Sequence, residues 1–392
     1  MTTLTLENYR IHEKIGEGAS SEVYKVSNLQ GNYFAAKVLR QFLKNDQDCI
    51  DRLKKEAELL STLKDERIVK CYHVVLTTDG RPTLINELVE GKNCETLLIE
   101  DSNTKRPLVG AILATEVLLG LQEAHRHGVI HRDLKPENLI ITCEGRLKIT
   151  DFGVAKSIES QKATQTGIIV GSPVFMSPEQ AMGEKVDQRS DLFSVGVLMY
   201  YFATGRYPFE GENYPQILRA YQSPFPPVSK YNSKVHPRLV AIINKTLAKE
   251  PAKRYQKGYE LLYDLMQFLD MIQAPSGLDI LKSYYCHDDR LFDLTHNQLV
   301  KTFIKRAKIN YDKKNKKEAL SLVHLALKLG PSDKEAKELY NKLSYSSVSK
   351  KIGVAAFLLL IPVIFISLNN FNFFENTIVK DSVDESRSGI VK

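Results

Sequence analysis

The stretch that decides the fold runs from His131 to Ile140 and reads His-Arg-Asp-Leu-Lys-Pro-Glu-Asn-Leu-Ile. It places an aspartate, a lysine and an asparagine (Asp133, Lys135 and Asn138) on one short segment. The aspartate can accept the proton of an attacking hydroxyl, the lysine can neutralise a transferring phosphate, and the asparagine can hold a metal ion. The spacing therefore indicates a site for phosphoryl transfer. The alternative, a merely polar loop between two strands, is disfavoured by the length and content of the string.

The same ten residues resemble the catalytic loop of the eukaryotic-like (Hanks-type) protein kinases. The resemblance implies that Asp133 is the catalytic base, that Lys135 acts on the phosphate, and that His131 and Arg132 have structural roles. Lys135 resembles the lysine that serine/threonine kinases have at this place, whereas tyrosine kinases have arginine or alanine near it. The closest likeness is to bacterial, membrane-anchored members of the family.

Composition sets broad limits on the protein. A chain of 392 residues can form one large domain or about two to three smaller ones. The formal net charge of +7 fits an ATP-binding protein or one near an anionic membrane, and does not by itself indicate a nucleic-acid partner. Five cysteines without a Cys-x-x-Cys pair argue against zinc and against a disulfide framework, and suggest a reducing cytosol. The N-terminus lacks the apolar segment of a cleaved signal peptide.

The order of the elements predicts an α+β fold. Strand-like stretches come first, at 9–15, 22–27 and 33–39, followed by a helical stretch over 48–63. Longer helical patterns follow at 110–127, 190–204 and 237–247. Strands first and helices later favour a small β-rich lobe joined to a larger helical lobe, which is the bilobal kinase fold over residues 9–270.

A glycine-rich turn, Gly16-Glu-Gly-Ala-Ser-Ser-Glu-Val23, lies between the first two strand-like stretches. Such a turn lets backbone N–H groups approach phosphates closely. The competing interpretation is a dinucleotide-binding turn, but that needs a helix after the glycines, and the sequence here is typical of a strand.

Phe34-Ala-Ala-Lys37 resembles the kinase strand whose lysine contacts the α- and β-phosphates. Its expected partner is a glutamate on the following helix. Glu56 shares a helix face with Leu53 and Leu60, where an unpaired charge would be costly, whereas Glu58 lies on the outer face. Helical geometry therefore selects Glu56 as the partner of Lys37.

The remaining nucleotide site follows from the resemblance. Glu87 and Val89 would offer backbone groups to adenine at the hinge, and Asn86 would be the gatekeeper. The full set of predicted ATP-binding residues is Ile15, Gly16, Glu17, Gly18, Ala19, Ser20, Ser21, Val23, Ala35, Lys37, Glu87, Val89 and Ile140.

Asp151-Phe152-Gly153 lies 18 residues after Asp133. The resemblance implies that Asp151 chelates Mg²⁺ between the β- and γ-phosphates and that Asn138 holds a second ion, with Mn²⁺ as an alternative metal. Phe152 is expected to have a structural role.

The segment after Asp151 ends at Ser177-Pro-Glu179, which resembles the Ala-Pro-Glu of kinases. Glu179 should pair with a buried Arg254, and Asp191 should bind the backbone of the catalytic loop. Because Arg132 precedes the catalytic aspartate, an activation-segment phosphate is expected to dock on it. Thr164-Gln-Thr166 resembles the twin-threonine site of bacterial transmembrane kinases, so autophosphorylation at Thr164 or Thr166 is our hypothesis; a merely polar loop is the alternative.

Residues 271–295 are interpreted as a linker, and residues 296–345 as a helical, lysine-rich juxtamembrane segment. Spacings within 303–331 resemble one tetratricopeptide (TPR) hairpin; a plain helical stalk is the alternative. The lysines at 313, 314, 316 and 317 form either a solvated face or a contact with anionic lipid.

Residues 352–368 are strongly apolar, and no charge occurs before Glu375. The uncharged stretch spans roughly 35 Å as a helix, which predicts a transmembrane helix over 352–374; a buried core helix is the alternative. Lys350 and Lys351 before the span place the kinase domain in the cytoplasm and residues 375–392 outside as a short tail.

The sequence thus predicts a single-pass membrane kinase that uses ATP and acts on protein substrates. A homodimer is suggested by family analogy alone. The alternatives are a pseudokinase or membrane scaffold that binds partners through 296–345, and a small-molecule phosphotransferase of related fold, which the complete activation segment disfavours.

Overall fold

The computed structural model describes residues 6, 8–18, 21–39, 47–101, 103, 105–152, 173–211, 214–288 and 290–344. The chain divides into two compact units, residues 1–299 and 300–392. Each unit is described by itself.

The first unit begins with a five-stranded antiparallel sheet in the order β1-β2-β3-β5-β4. Its strands carry the alternating, β-branched residues that suit a half-buried sheet, and Val26, Ala36 and Ile85 form its core. Helix α1 packs on this sheet through Leu53, which is fully buried. The bounds are β1 Tyr9–Glu17, β2 Ser21–Asn28, β3 Tyr33–Leu39, α1 Gln47–Ser61, β4 Cys71–Leu76 and β5 Pro82–Glu87.

A second, three-stranded sheet in the order β6-β7-β8 frames the segment quoted above. Its strands are β6 Lys92–Asn93, β7 Leu139–Ile141 and β8 Leu147–Ile149. Strand β7 begins directly after the 3₁₀ turn Pro136–Asn138, so the sheet fixes the C-terminal end of the catalytic loop.

Helices form the rest of the unit. The longest is α3, which packs along α5, and both are largely buried. Their backbones approach so closely that a Cβ at Gly110 would lie 2.5 Å from Cβ of Phe202, so only glycine fits there. The bounds are α2 Cys94–Glu100, α3 Pro107–Arg126, α4 Pro178–Ala181, α5 Gln188–Thr204, α6 Tyr214–Ala220, α7 Val228–Tyr231, α8 Pro237–Thr246, α9 Gly258–Met271 and α10 Gly277–Tyr285.

The predicted architecture of strands followed by helices is confirmed, and the observed bounds fall within three residues of those expected. The predicted linker at 271–295 is wrong in part, because it contains α10. Ile280 and Leu281 of α10 are fully buried, and the helix packs on α3. Gly145, at φ 85°, meets the backbone of α10 so closely that a Cβ would lie 2.6 Å from the amide nitrogen of Lys282. The Pro-Ser-Gly turn signal at its start concealed a short amphipathic helix.

The second unit is helical, as predicted. It contains the C-terminal part of α11 (Arg290–Asp312), then α12 (Lys316–Leu329) and α13 (334–344). The apolar residues that suggested a TPR hairpin are buried in it: Phe303, Ala307, Ala319, Val323 and Ala326. Burial of this stripe explains the helical packing, while the likeness to a TPR stays a prediction.

Within the described part of the chain, one helix is long and apolar enough to cross a membrane, and it is α3, whose apolar window is 61% buried in the protein. Its burial identifies α3 as a core helix of the first unit. The predicted transmembrane helix at 352–374 and the tail at 375–392 lie outside the described residues.

Candidate active site

One buried carboxylate, that of Asp191, anchors the catalytic-loop segment. Asp191, in the first turn of α5, accepts hydrogen bonds of 2.9 Å from the backbone amides of His131 and Arg132. His125 Nε2 lies 2.7 Å from the same carboxylate. Burial by itself would raise the pKa of Asp191, but the His125 hydrogen bond and nearby histidines outweigh it, so the pKa lies below its ordinary value. Asp191 is therefore an anion that anchors the loop.

His131 is fully buried and forms part of the loop's support. Its Nδ1 accepts from the amide of Asp133 at 3.3 Å, which assigns the ring proton to Nε2, 2.9 Å from the carbonyl of Thr150. Burial lowers the pKa of His131, so the ring is neutral. It also packs on the Phe152 ring at a centroid distance of 4.6 Å. His131 thus joins the catalytic loop to the strand that leads to Asp151.

Arg132 and Asp151 both have positive φ angles, 63° and 56°. Non-glycine residues occupy this left-handed region at a cost, and they persist there when the surroundings hold them. At Arg132 the restraint comes from Asp191 on its amide and from Gln180 Nε2, which donates to its carbonyl at 2.9 Å.

Asp133 and Asn138 meet within the loop. The Asn138 Nδ2 group donates to the carbonyl of Asp133 at 2.7 Å and lies 3.3 Å from its carboxylate Oδ2. These contacts assign the amide orientation, and they leave the Asn138 Oδ1 carbonyl to accept or to ligate. The proposed base and the proposed metal ligand are thereby fixed relative to each other.

Lys135 lies between acidic groups beside the loop. Its Nζ is 3.4 Å from Glu137 Oε1. Burial acts to lower the pKa of Lys135, but Asp133 and Glu137 outweigh it and the pKa is raised. The side chain is therefore a cation placed next to Asp133, as neutralisation of a phosphate requires.

Lys37 contacts Asp151, the other proposed metal ligand. Its Nζ lies 2.6 Å from Asp151 Oδ1. Desolvation acts to raise the pKa of Asp151, but Lys37, with smaller contributions from His131 and Lys135, outweighs it and the pKa is lowered, so the carboxylate is anionic. The sequence predicted Glu56 as the partner of Lys37. Glu56 lies on α1 as expected, but its side chain is outside the described residues, so that pairing stays a prediction.

The residues fit a divalent cation of the kind that protein kinases use. An anionic Asp151 and the Asn138 carbonyl are hard oxygen donors. No group of three or more His, Cys, Asp or Glu side chains that could hold a metal occurs in the part of the chain that the structure describes.

The glycine-rich turn joins two strands. Gly16 pairs with Val23 and Glu17 with Glu22, and the Gly18 amide donates to the Ser21 carbonyl at 2.8 Å. A strand follows the turn, so the dinucleotide-binding alternative is wrong. Ala19 and Ser20, at the tip, lie outside the described residues, whereas the side chain of Ile15 is 46% exposed.

The candidate hinge lies at the end of β5. The Glu87 amide donates to Lys70, and its carboxylate binds Lys148 at 2.6 Å. The other residues expected around adenine lie on the framing elements, Val23 on β2, Ala35 on β3, Val89 after β5 and Ile140 on β7.

A small pocket opens behind this position. It is lined by Lys37, Leu60, Val69, Cys71, Leu84, Asn86, Asp151 and Phe152. Burial raises the pKa of the Cys71 thiol to about 11, so Cys71 is a packing residue and an unreactive one. Asn86 lines this pocket, which is where a gatekeeper would lie.

A buried ion pair between Glu179 and Arg254 supports the C-terminal end of the activation segment. Arg254 NH1 and NH2 each donate to Glu179 at 2.7 Å, and both side chains are buried. Ser190 Oγ donates to the same carboxylate at 2.6 Å. Gly153 and the predicted phosphosites Thr164 and Thr166 lie outside the described residues.

Three supporting residues were missed from the sequence. They are His125 beside Asp191, Gln180 beside Arg132, and Lys148 beside Glu87. Gln180 carried a detectable signal, because Ser177 and Gln180 form a capping box at the start of α4. His125 and Lys148 act across more than 60 residues, and no local pattern indicates their partners.

Comparison with known proteins agrees with this geometry. Residues 9–268 match the protein kinase domain family. A probable serine/threonine-protein kinase of Clostridium perfringens is 35% identical over 259 residues, which cover 66% of this chain and 38% of that protein. The serine/threonine-protein kinase PknL of Mycobacterium tuberculosis is 35% identical over 272 residues, covering 68% of this chain and 67% of PknL. The chain spans about two fifths of the length of the Clostridium perfringens kinase and of two further bacterial relatives.

The fold is also similar to a solved structure. The PknI kinase domain of Mycobacterium tuberculosis aligns with a TM-score of 0.54 and 23% identity, covering 67% of this chain and 96% of that domain. At this identity the likeness concerns the fold alone. Residues after 268 have no counterpart in the family match.

Proposed function

The chain belongs to the Hanks-type serine/threonine protein kinases, and from this premise we propose that it transfers the γ-phosphate of ATP to serine and threonine hydroxyls of proteins. The observation that carries the proposal is the contact of Asn138 with Asp133, 2.7 Å to the carbonyl and 3.3 Å to the carboxylate. It fixes a base and a metal ligand on one loop, which is the arrangement that phosphoryl transfer needs.

Each residue of the candidate site has a separate role in the proposed reaction. Asp133 accepts the proton of the attacking hydroxyl, and Lys135, a cation at its side, neutralises charge on the phosphoryl group. Lys37 holds the α- and β-phosphates, and the backbone of the glycine-rich turn covers them. Positioning and charge neutralisation supply most of the catalysis, because the loop itself forms no covalent bond.

Magnesium, held by Asp151 and Asn138, would neutralise the β- and γ-phosphates, and manganese could replace it. The protein's part is to keep Asp151 ionised through Lys37 and to orient the Asn138 carbonyl through Asp133.

The test is ATP turnover on a generic basic protein. Asp133→Asn should lower kcat by about 10²–10⁴-fold, because the proton acceptor is lost. Arg146→Ala is the matched control, since the Arg146 side chain forms an exposed ion pair with Glu66, and it should retain wild-type activity. Equal activity of wild type and Asp133→Asn would contradict the proposal and favour a pseudokinase or scaffold.

We propose further that the kinase phosphorylates its own activation loop at Thr164 or Thr166. Arg132 supports this, because a cation directly before the catalytic aspartate can bind an activation-loop phosphate. Mass spectrometry of wild type should find phosphate at one of these threonines, and the Asp133→Asn protein should lack it. Active protein with neither threonine modified would remove the hypothesis.

The localisation proposal is a single-pass membrane protein with a cytoplasmic kinase domain. It is supported by the apolar run 352–368 with Lys350 and Lys351 before it. In inverted vesicles protease should remove the kinase domain and leave a membrane fragment that starts near residue 345. Release of the whole chain by high salt would contradict this proposal. Homodimerisation is a related proposal, and crosslinking in the same vesicles tests it.

A further inference from the structure

The charge of this protein is concentrated in its second unit. Residues 300–344 contain 12 of the 54 lysines and arginines and 5 of the 47 aspartates and glutamates. This 45-residue segment therefore carries a net charge of +7, equal to that of the whole chain, and the remaining residues are balanced at 42 of each sign. The basic character of the protein belongs to this unit alone.

Contacts among the three helices of the second unit determine the direction in which each helix runs. Lys308 of α11 binds Glu335 of α13 at 2.5 Å, and Lys342 Nζ lies 5.0 Å above the ring of Tyr311. The two contacts advance together along both helices, so α11 and α13 run in the same direction. Helix α12 runs back between them, and its end at Gly330 lies near Val300, where a Cβ would be 3.3 Å from Val300 Cγ2.

The turn between α11 and α12 therefore lies at the same end as the C-terminus of α13. That end carries five lysines, of which Lys316 is half-buried and the others are exposed. We call it the basic end, and it consists of Lys313, Lys314, Lys316, Lys317 and Lys342.

The chain leaves the unit at this end. Ile352, the first residue of the apolar run, follows Ser344 by eight residues, which span at most about 29 Å when fully extended. Lys350 and Lys351 lie in between. If the apolar run spans a bilayer, the basic end must stay close to the headgroups, whereas the opposite end, at Gly330, lies farther along the helices.

We propose that the basic end of the second unit binds the anionic headgroups of the membrane into which residues 352–374 insert. The inference rests on the single-pass arrangement proposed above and adds a second, electrostatic contact to it. Each lysine near an anionic surface strengthens binding by about fivefold. Five lysines on one end, reinforced by the tether, would hold the unit against the bilayer.

A lipid surface is favoured over a soluble acidic partner by position. The five lysines of the basic end have two acidic neighbours, Asp312 and Glu318, which leaves a net charge of +3 where the chain continues toward the apolar run. Near the other end, three acidic residues offset four lysines to a net charge of +1; the acidic residues are Asp333, Glu335 and Glu338, and the lysines are Lys301, Lys305, Lys334 and Lys337. This polarity matches a membrane on one side of the unit.

The experiment uses the full chain reconstituted in lipid nanodiscs of phosphatidylcholine, with or without phosphatidylglycerol. Hydrogen exchange with mass spectrometry follows peptides that cover residues 308–320. We expect exchange in the turn between α11 and α12 to slow at least about fivefold in anionic discs. The slowing should vanish near 1 M NaCl, where the Debye length is about 3 Å.

Two charge-matched variants test the position. The fourfold variant K313E/K314E/K316E/K317E should lose the slowing, whereas K301E/K305E/K334E/K337E, with the same change in charge away from the basic end, should keep it. Equal exchange in neutral and anionic discs, or equal loss in both variants, overturns the proposal. Equal slowing by free phosphate in neutral discs assigns the end to a soluble anion and also overturns it.

The failure of each underlying proposal has its own readout. A chain that is not recovered with the discs shows that 352–374 does not insert, and this overturns the membrane inference as well. ATP turnover on a generic protein reports the kinase proposal separately, and both fourfold variants should turn over at the wild-type rate.

Discussion

The carboxylate of Glu179 and the guanidinium of Arg254 form a bidentate ion pair, with both N–O distances at 2.7 Å and side-chain exposures of 5% and 0%. The pair joins residues 75 positions apart. Arg254 also donates to the backbone carbonyls of Ala248 and Lys249, so backbone contacts as well as the ion pair hold its guanidinium in place. Removal of either partner would leave the other charge buried and uncompensated.

Glu179→Ala should destabilise the kinase unit by about 3–5 kcal/mol, because it leaves the Arg254 cation buried without its partner. Urea unfolding followed by circular dichroism measures the change. The control is Glu250→Ala, which removes an exposed pair with Lys253 at 2.6 Å and should cost less than about 1 kcal/mol. Similar losses in the two variants would show that burial of the pair does not matter.

The same pair predicts acid sensitivity. Burial acts to raise the pKa of Glu179, but Arg254 and Ser190 outweigh it, so the folded-state pKa lies below the ordinary value of 4.5. The carboxylate therefore contributes stability above about pH 4.5, and this contribution is lost as the pH falls through the folded-state pKa. Below pH 4.5 the unfolding free energy of Glu179→Gln should fall less steeply than that of wild type. Parallel slopes in the two proteins would refute this assignment.

The candidate site residues could be named from the sequence where the chemistry is local. Asp133, Lys135 and Asn138 come from one loop, whereas Lys37 on β3 and Asp151 after β8 were named through the family resemblance. Glu179 and Arg254 were found through the family resemblance. Physical pattern alone could not pair them, because nothing near residue 179 indicates a partner near residue 254.

The part that escaped prediction depends on packing between distant segments. His125 lies on the same face of α3 as Leu118 and Leu121, and its ring binds Asp191, 66 residues away, with only 7% of the side chain exposed. Helix α10 is nine residues long, too short for its apolar period to outweigh the Pro-Ser-Gly turn before it. Its stability comes from contact with α3, which only the folded chain provides.

Asp191→Asn tests the anchor of the catalytic loop. An amide offers one acceptor oxygen where the carboxylate offers two, so it cannot bind both the His131 and Arg132 amides while facing His125. Arg132, at φ 63°, would lose one of the two contacts that restrain it, and only the one from Gln180 would remain. We expect kcat to fall at least about 10²-fold with little change in the KM for ATP, since a misplaced base affects the transition state. An increase in KM alone, with kcat preserved, would contradict the anchoring role.

Lys37→Met should make nucleotide binding sensitive to pH. Desolvation raises the pKa of Asp151 and Lys37 is the main group that lowers it, so the pKa should rise in the variant. A protonated Asp151 cannot hold a divalent ion, and affinity for magnesium and ATP should therefore fall more steeply in the variant than in wild type as the pH is lowered. Fluorescent-nucleotide titration measures this, and Lys37→Arg, which keeps the cation, is the control. A flat pH profile in Lys37→Met would show that another group keeps Asp151 ionised.

Tyr284 lies on α10, and its buried hydroxyl allows a test of how an unpaired donor affects stability. Its side chain is 2% exposed, and within the described parts of the chain its hydroxyl has no hydrogen-bond partner. Burial raises the pKa of this hydroxyl, as expected for a polar group removed from water. A buried donor without a partner costs about 1–3 kcal/mol of stability. The ring still contributes to the core, because it packs on Phe202 with a centroid distance of 6.0 Å.

Tyr284→Phe keeps the ring and removes the hydroxyl, so it should raise the free energy of unfolding by about 1 kcal/mol. Tyr255→Phe is the matched comparison, because Tyr255 is equally buried at 2% exposed and its hydroxyl donates to Asp264 at 2.7 Å. That variant should lose about 1–2 kcal/mol, since it removes a hydrogen bond to a carboxylate. The two substitutions delete the same atom, and opposite signs follow only from the presence of a partner. Urea unfolding of both variants measures the difference, and a loss of stability in Tyr284→Phe would mean that its hydroxyl is satisfied.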